Sequence, residues 1–152
     1  MNHQRGFEIV KAYAGWDIHL PQRKTAASAG YDIEAAAGAT IAPGRVALVP
    51  TGLKAYMKPG EVLLLTIRSS LAAKHGLMLA NSVGVIDADY YDNPDNEGHI
   101  QVAFYNAGEI PYTIEKGERI AQGMFMEYRT VDGDNAGTGA ERTGGFGSTG
   151  KD

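Results

Sequence analysis

Asp87 and Asp89 stand two residues apart in Gly84-Val85-Ile86-Asp87-Ala88-Asp89-Tyr90, with a glycine behind and an aromatic ring ahead. Carboxylates in such a stretch could do proton-transfer work, because an ionised carboxylate anchored beside apolar neighbours is a positioned general base. Val85 and Ile86 favour extended backbone, and Gly84 permits a tight turn before them. On a strand the two acids would share one side, with Ala88 and Tyr90 on the other. The plain alternative is two acids on a solvated strand face.

A second group is Arg68-Ser69-Ser70, where an arginine and two hydroxyls meet at a strand end and a helix start and could take an anion. A third is the tail, Glu141-Arg142-Thr143-Gly144-Gly145-Phe146-Gly147-Ser148-Thr149-Gly150-Lys151. Gly145, Gly147 and Gly150 spell GxGxxG, and Gly145 to Lys151 nearly spells a Walker A loop. Both motifs need a strand before and a helix after, whereas this chain reaches Asp152 at once and has no Ser or Thr there. What survives is chemical: backbone N–H groups bared by glycine, two hydroxyls, a phosphate-pairing Arg142 and a flat Phe146 face on which a base could stack. The four histidines show no HExxH or other metal spacing; His75 reads as structural, and His3, His19 and His99 as exposed. Asp92 to Glu97 departs from the calcium-loop pattern at Pro94 and reads as a solvated turn.

The elements that must hold these groups are short. Phe7 to Tyr13, Ile41 to Pro43, Arg45 to Pro50, Glu61 to Ile67, Ile100 to Tyr105, Pro111 to Glu115 and Ile120 to Tyr128 are predicted strands, cut by turn signals such as Pro43-Gly44, Pro59-Gly60 and Lys116-Gly117. Val62 to Leu65 is a continuous apolar run, which suits a strand covered on both faces. Leu77 to Ser82 and Val83 to Tyr90 read as a hairpin. Leu71 to His75 is the one helix expected, with Ser69 or Ser70 as N-cap and Gly76 as stop. From Asp132 the chain is rich in Gly, Asp and Thr and reads as a mobile tail. Many short strands and one helix point to an all-β sandwich or barrel, a single domain over 1–152 with the barrel in 1–131 and a flexible C-terminal segment in 132–152.

Composition narrows the function classes. At 152 residues, 43% hydrophobic and 21% charged, the chain is ordinary for one globular domain. Its net charge of -4 gives no general pull toward nucleic acid. The absence of cysteine excludes disulfides, thiolate catalysis and Cys-based zinc sites and fits a reducing compartment. The first residues are not an apolar signal core and no run nears ~18 apolar residues, so no membrane partner and a cytoplasmic location are expected.

Five stretches, taken in order, resemble the homotrimeric dUTPases: Ala29-Gly30-Tyr31-Asp32-Ile33; Arg68-Ser69-Ser70-Leu71 on to Lys74-His75-Gly76; Asn81 to Tyr90; Gly117-Glu118-Arg119-Ile120-Ala121-Gln122; and Arg142 to Gly150. The resemblance implies a distorted, jelly-roll-like β-barrel and a threefold homotrimer that hydrolyses dUTP to dUMP and pyrophosphate, a dUTP diphosphatase that keeps uracil out of DNA and supplies dUMP for thymidylate synthesis. It implies sites shared among three chains: the third stretch from one, the first, second and fourth from a neighbour, and the tail from the last, closing as a lid.

Carried over by residue, the resemblance makes Asp87 the base that deprotonates a water for in-line attack on the α-phosphorus. Asn81 and the backbone from Gly84 through Ile86 would pair with the uracil edge, and Tyr90 would pack on the deoxyribose. Arg68, Ser69, Ser70 and Gln122 would contact phosphates. Arg142, Gly147, Ser148 and Thr149 would close over the polyphosphate, with Phe146 on the base and Asp32 supporting from behind. Mg²⁺ would ride on the triphosphate and water, with no direct protein ligand. Two departures stand out: only Thr143 separates Arg142 from Gly144, and Tyr91 to Gly98 is longer than the family's usual turn. A dCTP deaminase of the same fold is the nearest alternative, but the position matching its catalytic Glu is Ala103. A nucleotide-sensing regulatory trimer that binds a protein is the other.

Overall fold

Large apolar residues at every second position, punctuated by glycines at 44, 60 and 117 that turn with positive φ, give this chain short strands rather than helices. The structure, a computed structural model, describes residues 2–136 and 144–146. The strands are β1 (Gly6–Ile9), β2 (Gln22–Arg23), β3 (Tyr31–Glu34), β4 (Ala39–Ile41), β5 (Val46–Pro50), β6 (Leu53–Tyr56), β7 (Glu61–Ile67), β8 (Leu77–Leu79), β9 (Gly84–Asp87), β10 (Gln101–Asn106), β11 (Tyr112–Ile114) and β12 (Arg119–Glu127). One helix, α1 (Ser69–His75), follows β7, and single 3₁₀ turns cover Lys11–Tyr13 and Ala88–Tyr90.

All strand pairs are antiparallel. A five-stranded sheet runs β2-β3-β12-β7-β9, a three-stranded sheet β5-β10-β8, and two further pairs are β1-β6 and β11-β4. They wrap one core in which Ile33, Leu53, Leu63, Leu77, Ile100, Phe104, Ile114 and Ile120 are fully buried. This is the expected all-β, jelly-roll-like fold, although the hydrogen bonding among the described residues does not close into a continuous barrel.

Several local expectations change. The first strand stops at Ile9: the Val10 N–H still bonds the Gly52 carbonyl, the next position in register, and the chain then enters a 3₁₀ turn. Helix α1 starts at Ser69 with Arg68 as its N-cap, and neither serine caps it through its side chain; Gly76 ends it at φ +66 as expected. Residues 77–90 do not form a hairpin. β8 pairs with β10 while β9 pairs with β7, so the two segments diverge into different sheets. Asp89 lies in the 3₁₀ turn after β9, so the strand alternation that would align it with Asp87 ends at Asp87.

His99 is buried rather than exposed, because it fills a slot between the chain's start and β6. Its ring packs 4.9 Å from Tyr13, and the Gly52 N–H donates to Nε2 at 3.0 Å. An accepting Nε2 is unprotonated. Burial lowers the pKa of His99, with the Glu97 charge opposing it weakly. The unfolded chain, with His near its ordinary ~6.5, therefore binds the proton first as pH falls. This contribution to stability is complete above that value and is lost as pH drops through the folded one. The denaturation midpoint should fall between about pH 7.5 and about pH 5.5, and His99→Gln, which keeps an acceptor for Gly52, should flatten that fall. Identical pH profiles for the two proteins in urea titrations would rule the assignment out.

Candidate active site

The divergence of β8 and β9 opens a cavity of about 230 Å³ between the two sheets. Both flanking strands are sheet edges, so each turns one row of backbone N–H and C=O groups away from its ladder. Asn81, Val83, Gly84, Val85, Ile86 and Asp87 line one side, Gln101, Val102 and Ala103 the other, and Tyr90 sits between them. Leu65 and Leu79 form the apolar floor. The size is below the ~300–1,000 Å³ of drug-sized sites and suits one nucleobase. Asp87 is the single carboxylate among the described lining residues, and Ala103 brings none.

Gly84 is buried against Leu65, and a Cβ there would stand 3.0 Å from the Leu65 Cβ. A side chain here would push Leu65 back by a few tenths of an ångström, so glycine lets β9 sit this close on β7. Tyr90 is buried too, and its hydroxyl donates to the His99 carbonyl at 2.6 Å. Gly145 and Phe146 also border the cavity, with Gly145 against the face of Tyr90. In this chain that part of the tail lies over the chain's own cavity. Arg142, Gly147, Ser148 and Thr149 lie outside the described residues.

Arg68, Ser69, Ser70 and Gln122 form a separate, open groove of about 270 Å³ together with Asp32, Lys24, Arg119 and Ala121. Helix α1 has seven residues, too few for a strong dipole. The attraction for an anion therefore rests on the two arginines, the lysine and the hydroxyls. Asp32 pairs with Arg119 at 3.5 Å, which steadies that guanidinium at the groove wall. The Gln122 side chain folds against Gly30, where a Cβ would come 2.4 Å from its Oε1.

The sequence-derived residues thus fall into two clusters, and strand register measures the gap. Asp87 pairs with Val62 at one end of β7, while Arg68 follows the other end, six residues on. At ~3.3 Å per residue the separation is roughly 20 Å. Within one chain the carboxylate and the groove cannot grip the same phosphate. Register also puts Asp87, Val62, Leu64, Thr66, Gln122 and Asp32 on one face of the five-stranded sheet, since directly paired residues share a face. That face carries Val85 at 57% exposure and Met126 at 49%, with Val62, Leu64 and Met124 half-buried, while Leu63 and Leu65 on the opposite face are sealed. The apolar run of β7, written for cover on both sides, is covered on one.

Sequence reading missed Arg119, Lys24 and Gln101 as lining residues. Arg119 lies inside a quoted stretch, but plain alternation on β12 would set it opposite Gln122; an irregularity in register between Arg119 and Ala121 brings the two to one face, and Lys24 sits in a polar loop with no local signal.

The family model described as dUTPase matches residues 16–150. A deoxyuridine 5'-triphosphate nucleotidohydrolase of Lactococcus lactis is 57% identical over 146 residues, covering 96% of this chain and 97% of that one. The protein of the same name from Tolumonas auensis is 39% identical over 152 residues, with 95% of each chain covered. The crystal structure of dUTPase from Streptococcus mutans superposes with a TM-score of 0.79 at 51% identity, covering 84% of this chain and 99% of that one.

The close seating of Gly84 makes a direct test of the cavity wall. Gly84→Ala should destabilise the fold by ~1–3 kcal/mol, the usual cost of overpacking a filled site, read from urea unfolding. An unchanged midpoint would mean that β9 is free to shift away from β7.

Proposed function

The chain belongs to the dUTPase family, and from that premise we propose how its two clusters divide the work. The enzyme hydrolyses dUTP to dUMP; the proposal concerns which residues do it. Its carrying observation is Asp87, the single carboxylate among the described residues that line an apolar slot bordered by backbone edges.

In this reading the uracil enters the slot, where Asn81 and the backbone of Gly84 to Ile86 meet its edge. The tightness of the β7–β9 contact leaves little room for a 5-methyl group, and the fixed donors and acceptors disfavour cytosine. Tyr90 packs on the deoxyribose. Asp87 takes a proton from a water as that water attacks the α-phosphorus in line; the bond to the bridging oxygen breaks and pyrophosphate leaves. Arg68, Ser69, Ser70 and Gln122 hold the phosphates, with Asp32 bracing Arg119 beside them. Arg142, Phe146, Gly147, Ser148 and Thr149, in the segment 132–152, close over the nucleotide.

The ~20 Å between Asp87 and Arg68 supports a shared site. A neighbouring copy packed on the half-covered sheet face would bring its groove to this chain's Asp87, and a threefold ring would repeat the contact three times with no open end. Among the described residues no group of three or more His, Asp or Glu is set to hold a metal. Mg²⁺ would be held chiefly by the triphosphate oxygens and water, where it would spread the negative charge that repels the nucleophile. Among the described residues no helix is long and apolar enough to cross a membrane, and the cytoplasm, where the nucleotide is found, is the proposed setting.

Asp87→Asn should lower dUTP turnover by ~10² or more, the scale of a lost general base, while binding of a non-hydrolysable dUTP analogue is kept. Pyrophosphate release measured across dUTP, dCTP, dTTP and UTP supplies the specificity. Turnover by Asp87→Asn at wild-type level would remove Asp87 from the chemistry.

A further inference from the structure

Tyr90 lines the cavity from a position that is 7% exposed. Its hydroxyl does not end in the cavity. It donates to the His99 carbonyl and also accepts from Asn96 Nδ2 at 2.9 Å. The Asn96 amide is itself oriented, because its Oδ1 accepts from Asn93 Nδ2 at 2.7 Å and from the Gly98 N–H at 3.0 Å. That leaves Nδ2 as the donor toward the phenol. Asn93 in turn donates to the Tyr90 carbonyl at 2.8 Å and accepts the N–H groups of Asp95 and Asn96. Lys54, buried on β6, ties the whole loop to the body by bonding Asp92 at 2.5 Å and Glu97 at 2.7 Å.

A phenol held by one hydrogen bond can rock about it; one held by both a donor, Asn96, and an acceptor, the His99 carbonyl, keeps a fixed tilt. We infer that Asn96, which does not touch the cavity, is the positioning residue that sets the Tyr90 ring and thereby the enzyme's preference for a deoxyribose over a ribose. This rests on the reading above that Tyr90 packs on the sugar. A 2′-hydroxyl could be admitted only by swinging the ring, and the Asn96 bond resists that swing. The loop from Asp92 to Gly98 would then be a brace for specificity rather than the solvated turn its composition suggests.

The test is the ratio of kcat/KM for dUTP to that for UTP. Both values come from one preparation, so any loss of folded enzyme cancels. Asn96→Ala should lower this ratio by about fivefold, the effect of one neutral hydrogen bond. In a Tyr90→Phe background the same substitution should change the ratio no further, because the atom it acts through is gone. A wild-type ratio in Asn96→Ala, or an equal fall with and without the Tyr90 hydroxyl, would overturn the inference. A wild-type enzyme that turned over UTP as readily as dUTP would instead sink the sugar role of Tyr90, and the brace with it.

Discussion

The reach of a single strand governs this molecule. β7 is paired on both sides, with β12 and β9, and its even-numbered and odd-numbered residues face opposite ways. Leu63 and Leu65 anchor it in the core. Asp87 rides on one end through the β9 ladder, and Arg68 leaves from the other. Because a strand advances about 3.3 Å per residue, Asp87 and the groove beside Arg68 are held rigidly apart by the same ladder that positions each of them. A flexible loop could have let the two ends meet; a central strand cannot. That separation is what the proposed site shared between chains rests on, with the half-covered face of the five-stranded sheet as its proposed contact surface.

The slot proposed to receive the nucleobase arises from a topological parting. Where two consecutive strands would normally pair, β8 and β9 go to separate sheets. Their outer edges, which in most proteins must be protected from unwanted pairing, here face a small apolar chamber. Recognition by backbone groups has a physical advantage: their positions are fixed by ladders on the far side and cost little conformational entropy on binding. One carboxylate at the rim completes the arrangement.

Much of this was legible in the sequence, and for identifiable reasons. Alternating apolar residues between Pro-Gly and Lys-Gly turns gave the strands, and β7 and β10 were read closely because their patterns are long and uninterrupted. Asp87 and Arg68 stand out by residue type and Gln122 only through the family resemblance; the structure puts Asp87 at the cavity and Arg68 and Gln122 in one groove. Partner choice between strands was not legible. The 77–90 segment has the spacing of a hairpin, and only tertiary packing of Leu77 and Leu79 against β10 decides otherwise. His99 was read as a surface residue and Asn96 as part of a solvated turn because polarity signals exposure, whereas His99 is buried with its ring bonded and Asn96 is half-buried and bonded to Tyr90.

The claim that one site takes Asp87 from one copy and Arg68 from another can be tested by mixing two defective proteins. Asp87→Asn and Arg68→Ala chains would be co-expressed, or unfolded together and refolded, in equal amounts, and dUTP hydrolysis compared with each protein alone. With sites shared between neighbours, random assembly restores both residues in about one quarter of sites, so activity should rise to about a quarter of wild type. Activity no higher than the average of the two separate variants would mean that each chain carries its site alone.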